Sequence, residues 1–290
     1  MISNTIKDLK KKGYYFPTRV LELKETDQLR KEYYNSLKKI KSKRLKFECK
    51  FKSHLVFNWV NNLIRNENIL KIAREYLGNN ILCWNSIIFD KPANSKKFVG
   101  WHEDKTFWKL KNNNVITFSI AITESTKENG CLKILSNRRN VEYCEKDVKN
   151  NMLARGQDAI IDNNEEFKYV ILSPGECSIF EQDIIHGSDP NFSNNRRVLV
   201  AIRYITPDNI TSANHTSATL VSGEDNCNFY QKEPIPIHDF DENCLQFHQN
   251  LMSKQAKVFA KHKLNKFNLG FMSGIVASNT VRAIYYQLFK

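Results

Sequence analysis

The sequence predicts a mainly β fold, an antiparallel barrel or jelly roll with helices on its N-terminal and C-terminal sides. Three observations predict it: a helical N-terminal part, a change after Gly78 to short β-branched segments, and turn signals between these segments without a regular alternation of strands and helices. We expect one domain over residues 1–290. Residues 1–80 would be its helical part, residues 81–206 the barrel core, and residues 207–290 a C-terminal strand and loop region with helices.

The helical prediction rests on the spacing of apolar residues near the N-terminus. Thr26 is a candidate N-cap for a helix that continues through Leu37. Two further helical patterns run from Val56 to Leu63 and from Ile69 to Leu77. Gly78 follows them at the position where a C-cap glycine is expected.

The β prediction rests on short apolar segments that are separated by turn dipeptides. The candidate strands are Ile81–Phe89, Val115–Ile122, Val170–Leu172, Glu176–Phe180 and Val198–Ile205, and the turn signals are Asn129-Gly130, Pro174-Gly175 and Asp189-Pro190. Residues 150–168 form a less regular insertion, and residues 206–240 combine loop and strand. Residues 241–262 have a helical pattern, and the tail from residue 263 is expected to form a last helix that docks on the barrel.

The net charge of +13 is spread over the chain, with its densest parts at residues 7–12 and 38–44. A basic surface is compatible with a nucleic-acid partner, but we find no stripe of basic residues interleaved with stacking aromatics. We therefore predict a solvated basic surface and no nucleic-acid partner. An anionic small substrate would also suit this field.

The seven cysteines form no CxxC pair, which argues against a disulfide scaffold and a zinc knuckle. Reduced thiols indicate a cytoplasmic protein. Residues 1–12 lack the apolar core of a signal peptide, and the apolar stretch Leu269–Ala277 is too short to span a bilayer. We therefore predict no membrane partner, and the sequence leaves the oligomeric state open.

A candidate metal site centres on the segment Trp101-His-Glu-Asp104. In an extended segment, His102 and Asp104 would point to the same side, towards one ion. His186, which follows a predicted strand after a short turn, is the candidate third ligand. Two histidines and one carboxylate form the facial triad of non-haem iron oxygenases, which leaves iron positions open for a 2-oxo acid and dioxygen. An HxD pair alone is common by chance, so the companion residues matter.

Three residues near this triad are candidates for binding an anionic co-substrate. Arg197 lies eleven residues after His186, and a neighbouring antiparallel strand would bring its guanidinium beside that histidine. Ser188 could share the bound carboxylate, and Lys91 is a further candidate at the end of a predicted strand. The alternative is that Arg197 pairs with a structural Asp or Glu.

Several motifs in this order resemble the phytanoyl-CoA dioxygenase family: Gly13-Tyr-Tyr-Phe-Pro17, Phe98 to Trp108, Glu128-Asn-Gly-Cys-Leu132, Arg155-Gly-Gln157, Leu172-Ser-Pro-Gly-Glu176, His186 to Asn191 with Arg196-Arg197, and Gly223-Glu-Asp225. The resemblance implies a double-stranded β-helix. It also implies Fe(II) held by His102, Asp104 and His186, and 2-oxoglutarate bound by Arg197 with the help of Ser188. The implied reaction uses O2 to hydroxylate a small molecule and releases succinate and CO2.

The chain departs from the family pattern at three places, which bear on the substrate more than on the reaction class. Ser136-Asn-Arg-Arg139 replaces a frequent Pro-Gly-Ser-His, Ser119 stands where many members have Trp, and Glu103 replaces a common Gln. Relatives that halogenate carbon carry a small residue at the position of Asp104, so the resemblance favours hydroxylation over chlorination.

Candidate substrate residues follow the metal-site segment and lie in the irregular insertion. Thr106, Phe107 and Trp108 are expected to border the substrate cavity, with plain core packing as the alternative. Arg155 is a candidate for holding an anionic substrate group, with a surface position as the alternative. Two other functions remain open: a non-catalytic cupin-like binding protein, and a related oxidation such as desaturation or halogenation on the same scaffold.

Overall fold

A computed structural model describes residues 2–136, 141–145, 150–153, 157–162, 164–211 and 217–267. Its helices are α1 (Ile2–Lys12), α2 (Leu23–Lys39), α3 (Lys43–Glu48), α4 (Asn58–Leu63), α5 (Glu67–Leu77), α6 (Lys105–Trp108) and α7 (Glu242–Phe267), with a 3-10 turn at Ser53–Leu55. Its strands are β1 (Tyr14–Arg19), β2 (Ile81–Lys91), β3 (Val99–His102), β4 (Val115–Ala121), β5 (Leu132–Leu135), β6 (Tyr143–Glu145), β7 (Gln157–Ala159), β8 (Phe167–Val170), β9 (Glu176–Phe180), β10 (His186–Ser188), β11 (Arg197–Ile205), β12 (Ser217–Ser222) and β13 (Gln231–Lys232).

The strands form two larger sheets and one small one. The first sheet has the order β1-β9-β4-β11-β2-β12-β13, the second has the order β3-β10-β5-β8, and β6 pairs with β7. These pairs are antiparallel apart from β12 with β13. The predicted mainly β fold with helices is confirmed.

The central strands β4 and β11 of the seven-stranded sheet are buried on both faces. On β4, Ile116, Phe118 and Ile120 point to one side and pack with the helices α1, α4 and α5 in the largest apolar cluster. Ala121 of β4 and Leu199 of β11 point to the other side, where they share a second cluster with residues of the four-stranded sheet such as Ile134 and Val170. Because side chains alternate along a strand, the face of β11 towards the second sheet carries Arg197, Leu199, Ala201 and Arg203. We call this the inner face.

Several predicted boundaries are close to the observed ones, and others are wrong. Residues 1–80, predicted to be mainly helical, contain the helices α1 to α5 and also β1, which pairs with β9. The helix predicted to begin after Thr26 begins at Leu23 instead, with Glu22 as its N-cap. Thr26 therefore lies within the first turn, and its hydroxyl donates to the Glu22 carbonyl rather than capping the helix. The strand predicted at Val170–Leu172 ends at Val170. Gly78 ends α5 with φ +90°, as predicted.

Some predictions fall outside the residues that the structure describes. They are the departure at Ser136-Asn-Arg-Arg139 beyond Ser136, the substrate candidate Arg155, and the tail beyond Phe267. Among the described helices, none is long and apolar enough to cross a membrane.

A buried ionic network ties the C-terminal strands to the helical layer. The carboxylate of Glu233, just after β13, accepts from Lys52 at 2.5 Å and from Thr219 at 2.6 Å. It also accepts from Ser217 at 2.7 Å and lies 2.8 Å from Nε2 of His54. Burial alone would raise the pKa of Glu233, and Lys52 and His54 instead hold it below its usual value. The network therefore holds a carboxylate ion in the protein interior.

We expect Glu233→Gln to lower the free energy of unfolding by about 3–5 kcal/mol, because it leaves the Lys52 charge buried without its partner. The control is Asp8→Asn, which removes a carboxylate from an exposed pair with Lys12 and should cost less than about 1 kcal/mol. Urea unfolding followed by circular dichroism measures both. Equal losses in the two variants would contradict a structural role for the network.

Candidate metal centre

The metal site is built on the pairing of two short strands, in which His186 of β10 lies opposite His102 of β3. The next pair joins Ser188 to Val99, so Gly100 and Trp101 of β3 lie opposite the single residue Gly187 of β10. This is a β-bulge, which bends a strand and redirects its side chains. A Cβ on Gly187 would lie 3.0 Å from the Val99 carbonyl oxygen, so a small residue suits this close pairing.

The bulge frees backbone groups that position the site. The Gly100 amide donates to Oδ1 of Asn151 at 3.2 Å, and the Trp101 amide donates to Oδ1 of Asp158 at 2.7 Å. One residue past the strand, the Glu103 amide donates to the Tyr143 hydroxyl at 3.0 Å. No sequence pattern predicted these three supporting side chains.

Each imidazole is held through its Nδ1 atom, which leaves its Nε2 atom available to bind a metal. Nδ1 of His102 lies 3.0 Å from the Gly100 carbonyl oxygen, and Nδ1 of His186 lies 2.8 Å from the Ile184 carbonyl oxygen. A proton on Nδ1 leaves the lone pair on Nε2, which is the form that binds a metal. The ring centroids are 4.1 Å apart. Burial and the neighbouring His186 together lower the pKa of His102 to about 4, so the neutral imidazole is favoured at neutral pH.

Asp104 supplies the carboxylate, although not by the predicted extended geometry. The strand ends at His102, and Asp104 has helical backbone angles at the start of α6. Its Oδ1 lies 3.7 Å from Nε2 of His102. Within the described chain, its Oδ2 is buried without a hydrogen-bond partner.

The ligand atoms of His102, Asp104 and His186 all lie within 4.8 Å of one another, and all three residues are buried. A buried carboxylate oxygen without a partner is costly, and a bound cation would satisfy it. Two imidazoles and one carboxylate suit a divalent iron centre. The residues present therefore fit a metal ion.

A second polar cluster contains the predicted co-substrate residues. The buried Nζ of Lys91 donates to Oγ of Ser188 at 2.6 Å and to the Gly130 carbonyl at 3.3 Å, and it also binds the Asp189 carbonyl. Burial lowers the pKa of Lys91 to about 5, and Arg197 lowers it as well. Gly130 has φ +75°, and a Cβ there would collide with the Asp189 carbonyl oxygen. This glycine therefore permits the close approach that surrounds Lys91.

Arg197 is 2% exposed and lies opposite Lys91 in the β11–β2 pair. Its Nε has no hydrogen-bond partner, and no described Asp or Glu forms an ion pair with it. The alternative of a structural carboxylate partner is therefore not found in the described residues. Burial lowers the pKa of its guanidinium to about 10.

The predicted route from Arg197 to the site was wrong. β10 and β11 are not neighbouring strands, because β10 belongs to the four-stranded sheet and β11 to the seven-stranded sheet. Arg197 instead approaches from the facing sheet, beside Lys91, which contacts Ser188 of β10.

Arg203 joins the metal site from the other end of the inner face. Its Nη2 lies 3.7 Å from Oδ2 of Asp104, and its Cζ lies 4.7 Å from the ring centroid of Trp108. Trp108 packs edge-on against Trp84, while Phe107 packs edge-on against Tyr143. Trp108 thus has both a core contact and a place beside the site.

Ser119 lies opposite Ser178 of β9 and Ala201 of β11. These three small residues occupy the inner face where the family pattern often has Trp. The side chain of Glu103, the other described departure, accepts a hydrogen bond from the Thr106 hydroxyl.

Comparisons with known proteins agree with this geometry. The family model described as Phytanoyl-CoA dioxygenase (PhyH) matches residues 9–199. The chain is 30% identical over 167 residues to the probable alpha-ketoglutarate-dependent hypophosphite dioxygenase of Stutzerimonas stutzeri. The aligned region covers 53% of this chain and 56% of that protein. It is also 31% identical over 121 residues to the ectoine dioxygenase of Streptomyces coelicolor. That aligned region covers 40% of this chain and 40% of the ectoine dioxygenase. The chain thus spans about half the length of the curated relatives that it matches.

Solved structures show the same fold. The apo form of the non-heme monooxygenase ThoJ is 24% identical with a TM-score of 0.76, over 90% of this chain and 99% of that chain. CytC3 with Fe(II) and alpha-ketoglutarate, another name for 2-oxoglutarate, is 21% identical with a TM-score of 0.55, over 77% of this chain and 89% of that chain.

We expect the purified protein to bind one Fe(II) per chain and His186→Ala to lose most of it, because one of three buried ligands is removed. The control is His238→Ala, which removes an exposed histidine outside the site. Metal analysis after anaerobic loading measures the iron. The triad assignment fails if His186→Ala retains as much iron as the control.

Proposed function

The chain belongs to the phytanoyl-CoA dioxygenase family, and on this premise we propose that it is an Fe(II)- and 2-oxoglutarate-dependent oxygenase. The proposed reaction hydroxylates a small molecule and releases succinate and CO2. One observation carries the proposal: the convergence of His102, Asp104 and His186 on one point, with a buried carboxylate oxygen that has no hydrogen-bond partner among the described residues.

In this proposal, His102, Asp104 and His186 hold the iron. When bound, iron would use O2 and 2-oxoglutarate to oxidise a C–H bond that acid or base chemistry does not activate. The chain's own part is to orient the two imidazoles through the Gly100 and Ile184 carbonyls and to keep the ligands out of bulk water. Phe180, whose ring lies 4.8 Å from that of His186, packs against one side of the site.

Arg197 would bind the distal carboxylate of 2-oxoglutarate. Its guanidinium is buried on the inner face without an ion-pair partner among the described residues, and a carboxylate matches its fork of donors. Ser188 would donate a second hydrogen bond, because Lys91 already donates to its oxygen and leaves its proton free. Lys91 thereby supports the pocket without being the main anchor.

The same proposal includes the detailed fold, the domain organisation and the cellular compartment. The two facing sheets would form a double-stranded β-helix within one domain, residues 1–290, with N-terminal and C-terminal helices. The seven cysteines are all unpaired, which supports a reducing compartment such as the cytoplasm. The two curated relatives carry names with different substrates, hypophosphite and ectoine, so the family match supports the reaction type more than a particular small molecule.

Asp104 supports hydroxylation over halogenation. A halide needs a metal position that a protein carboxylate does not occupy, and Asp104 places its carboxylate beside both histidines. A buried ligand set of this composition, together with an Arg197 that has no ion-pair partner among the described residues, supports an enzyme over a non-catalytic binding protein.

We expect Arg197→Ala to weaken 2-oxoglutarate binding by about 2–5 kcal/mol while the iron content is unchanged, because it removes an anion anchor and no metal ligand. The matched control is the preceding residue: Arg196→Ala removes a guanidinium that binds Asp90 on the opposite face. Anaerobic titration of the metal-to-ligand absorption band gives both dissociation constants. An unchanged constant for Arg197→Ala would place the anchor elsewhere.

We expect iron-dependent succinate release in a metabolite screen and, in chloride buffer, a hydroxylated product. Asp104→Gly should abolish this reaction because it removes a metal ligand. Glu103→Gln is the control, since the Glu103 side chain bonds to Thr106 and lies outside the ligand set. Mass spectrometry identifies the product. A chlorinated product from the unmodified protein would show that Asp104 does not bind the iron.

A further inference from the structure

We propose that Arg203 anchors an anionic group of the substrate, so that the substrate carries a terminal oxyanion close to the atom that is oxidised. This inference rests on the proposed function and adds the chemical class of the substrate. It depends on the position of Arg203, on its unfilled hydrogen-bonding capacity and on the charge of the site.

Arg203 and Arg197 lie on the same face of β11, but each lies beside a different set of residues. Arg203 lies six positions after Arg197, which corresponds to about 20 Å along β11. Arg197 lies beside Lys91, whereas Arg203 lies beside Asp104 and Trp108. An anion bound at Arg197 therefore does not reach Arg203.

The guanidinium of Arg203 is poorly satisfied where it stands. The residue is 7% exposed, and its Nε has no hydrogen-bond partner within the part of the chain that the structure describes. The 3.7 Å between its Nη2 and Oδ2 of Asp104 is longer than a charge-assisted hydrogen bond, which is usually about 2.7–2.9 Å. A guanidinium whose only role is to support Asp104 would be expected to lie within hydrogen-bond distance of its carboxylate.

The surroundings of Arg203 favour an oxyanion. Trp108 covers one face of the guanidinium, which leaves its hydrogen-bonding edges for an oxyanion. Thr117 lies directly opposite Arg203 on β4, and its buried hydroxyl has no hydrogen-bond partner among the described residues. The two side chains together offer a fork of N–H donors and one hydroxyl on the same inner face.

The charge of the loaded site also favours an anionic substrate. Bound iron and 2-oxoglutarate would contribute two positive and two negative charges, and Asp104 one negative charge. Arg197 and Arg203 each contribute one positive charge, and a protonated Lys91 would add another. At least one positive charge therefore remains, and a substrate with one negative charge would neutralise it in this buried environment.

The test is calorimetric titration of the protein loaded anaerobically with Fe(II) and 2-oxoglutarate. The probes are acetate, methylphosphonate and the neutral acetamide. We expect at least one anion to bind, acetamide not to bind, and Arg203→Gln to weaken anion binding at least about tenfold, the effect of losing a hydrogen bond to a charged group. Binding of acetate alone indicates a carboxylate substrate, and binding of methylphosphonate alone indicates a phosphorus oxyanion.

The control variant is Arg30→Gln, which removes the same charge from an exposed pair with Asp27 and should leave anion binding unchanged. Arg203→Gln should keep its iron content and its 2-oxoglutarate affinity. Should it unfold or lose iron, Arg203→Lys keeps the positive charge beside Asp104 but lacks the fork, and it should still weaken methylphosphonate binding.

Anion binding that is absent from the unmodified protein, or equal in the Arg203 variants, overturns the inference and leaves the proposed function standing if iron and 2-oxoglutarate still bind. A failure of iron or 2-oxoglutarate to bind the unmodified protein contradicts the proposed function instead. The anion titrations of the unloaded protein and its Arg203 variants then still decide whether Arg203 binds an oxyanion.

Discussion

The bulge in β3 is the local distortion on which the candidate metal site depends. A regular ladder would pair the backbone groups of Gly100 and Trp101 with β10, but the extra residue releases them. The released carbonyl of Gly100 fixes the His102 ring, and the released amides bind Asn151 and Asp158. A strand that ends in this way can turn directly into α6 and bring Asp104 back towards the two histidines.

The sequence predicted the larger strands of the seven-stranded sheet well, because they are apolar and bounded by turn dipeptides. Glu176–Phe180 was predicted at its observed limits. β1 was missed because a proline inside a short segment weakens a strand pattern, and Pro17 lies in the middle of Tyr14–Arg19. β10 is three residues long, too short to show any periodicity. Its pairing is set by contacts with β3 and β5, which are distant in the sequence.

The candidate ligands were accessible to sequence analysis because His102 and Asp104 are neighbours in the chain and the motif is recognisable. Arg197 was predicted as a residue, but its route to the site was wrong, because the sequence does not show which sheet a strand joins. Asn151 and Asp158 were missed for a similar reason: each binds an amide more than fifty residues away. Short polar residues in an irregular insertion give no local sign of such a contact.

The alternation along β11 has a consequence for how this chain can change over evolution. Arg197 and Arg203 point to the inner face, while Val198, Val200 and Ile202 pack against the helices. Inserting or deleting one residue between the two arginines would turn one of them towards the apolar helical layer. Point substitutions can change the two ends of the strand independently. A one-residue change in the length between the arginines, in contrast, would disrupt both the polar inner face and the apolar helical face.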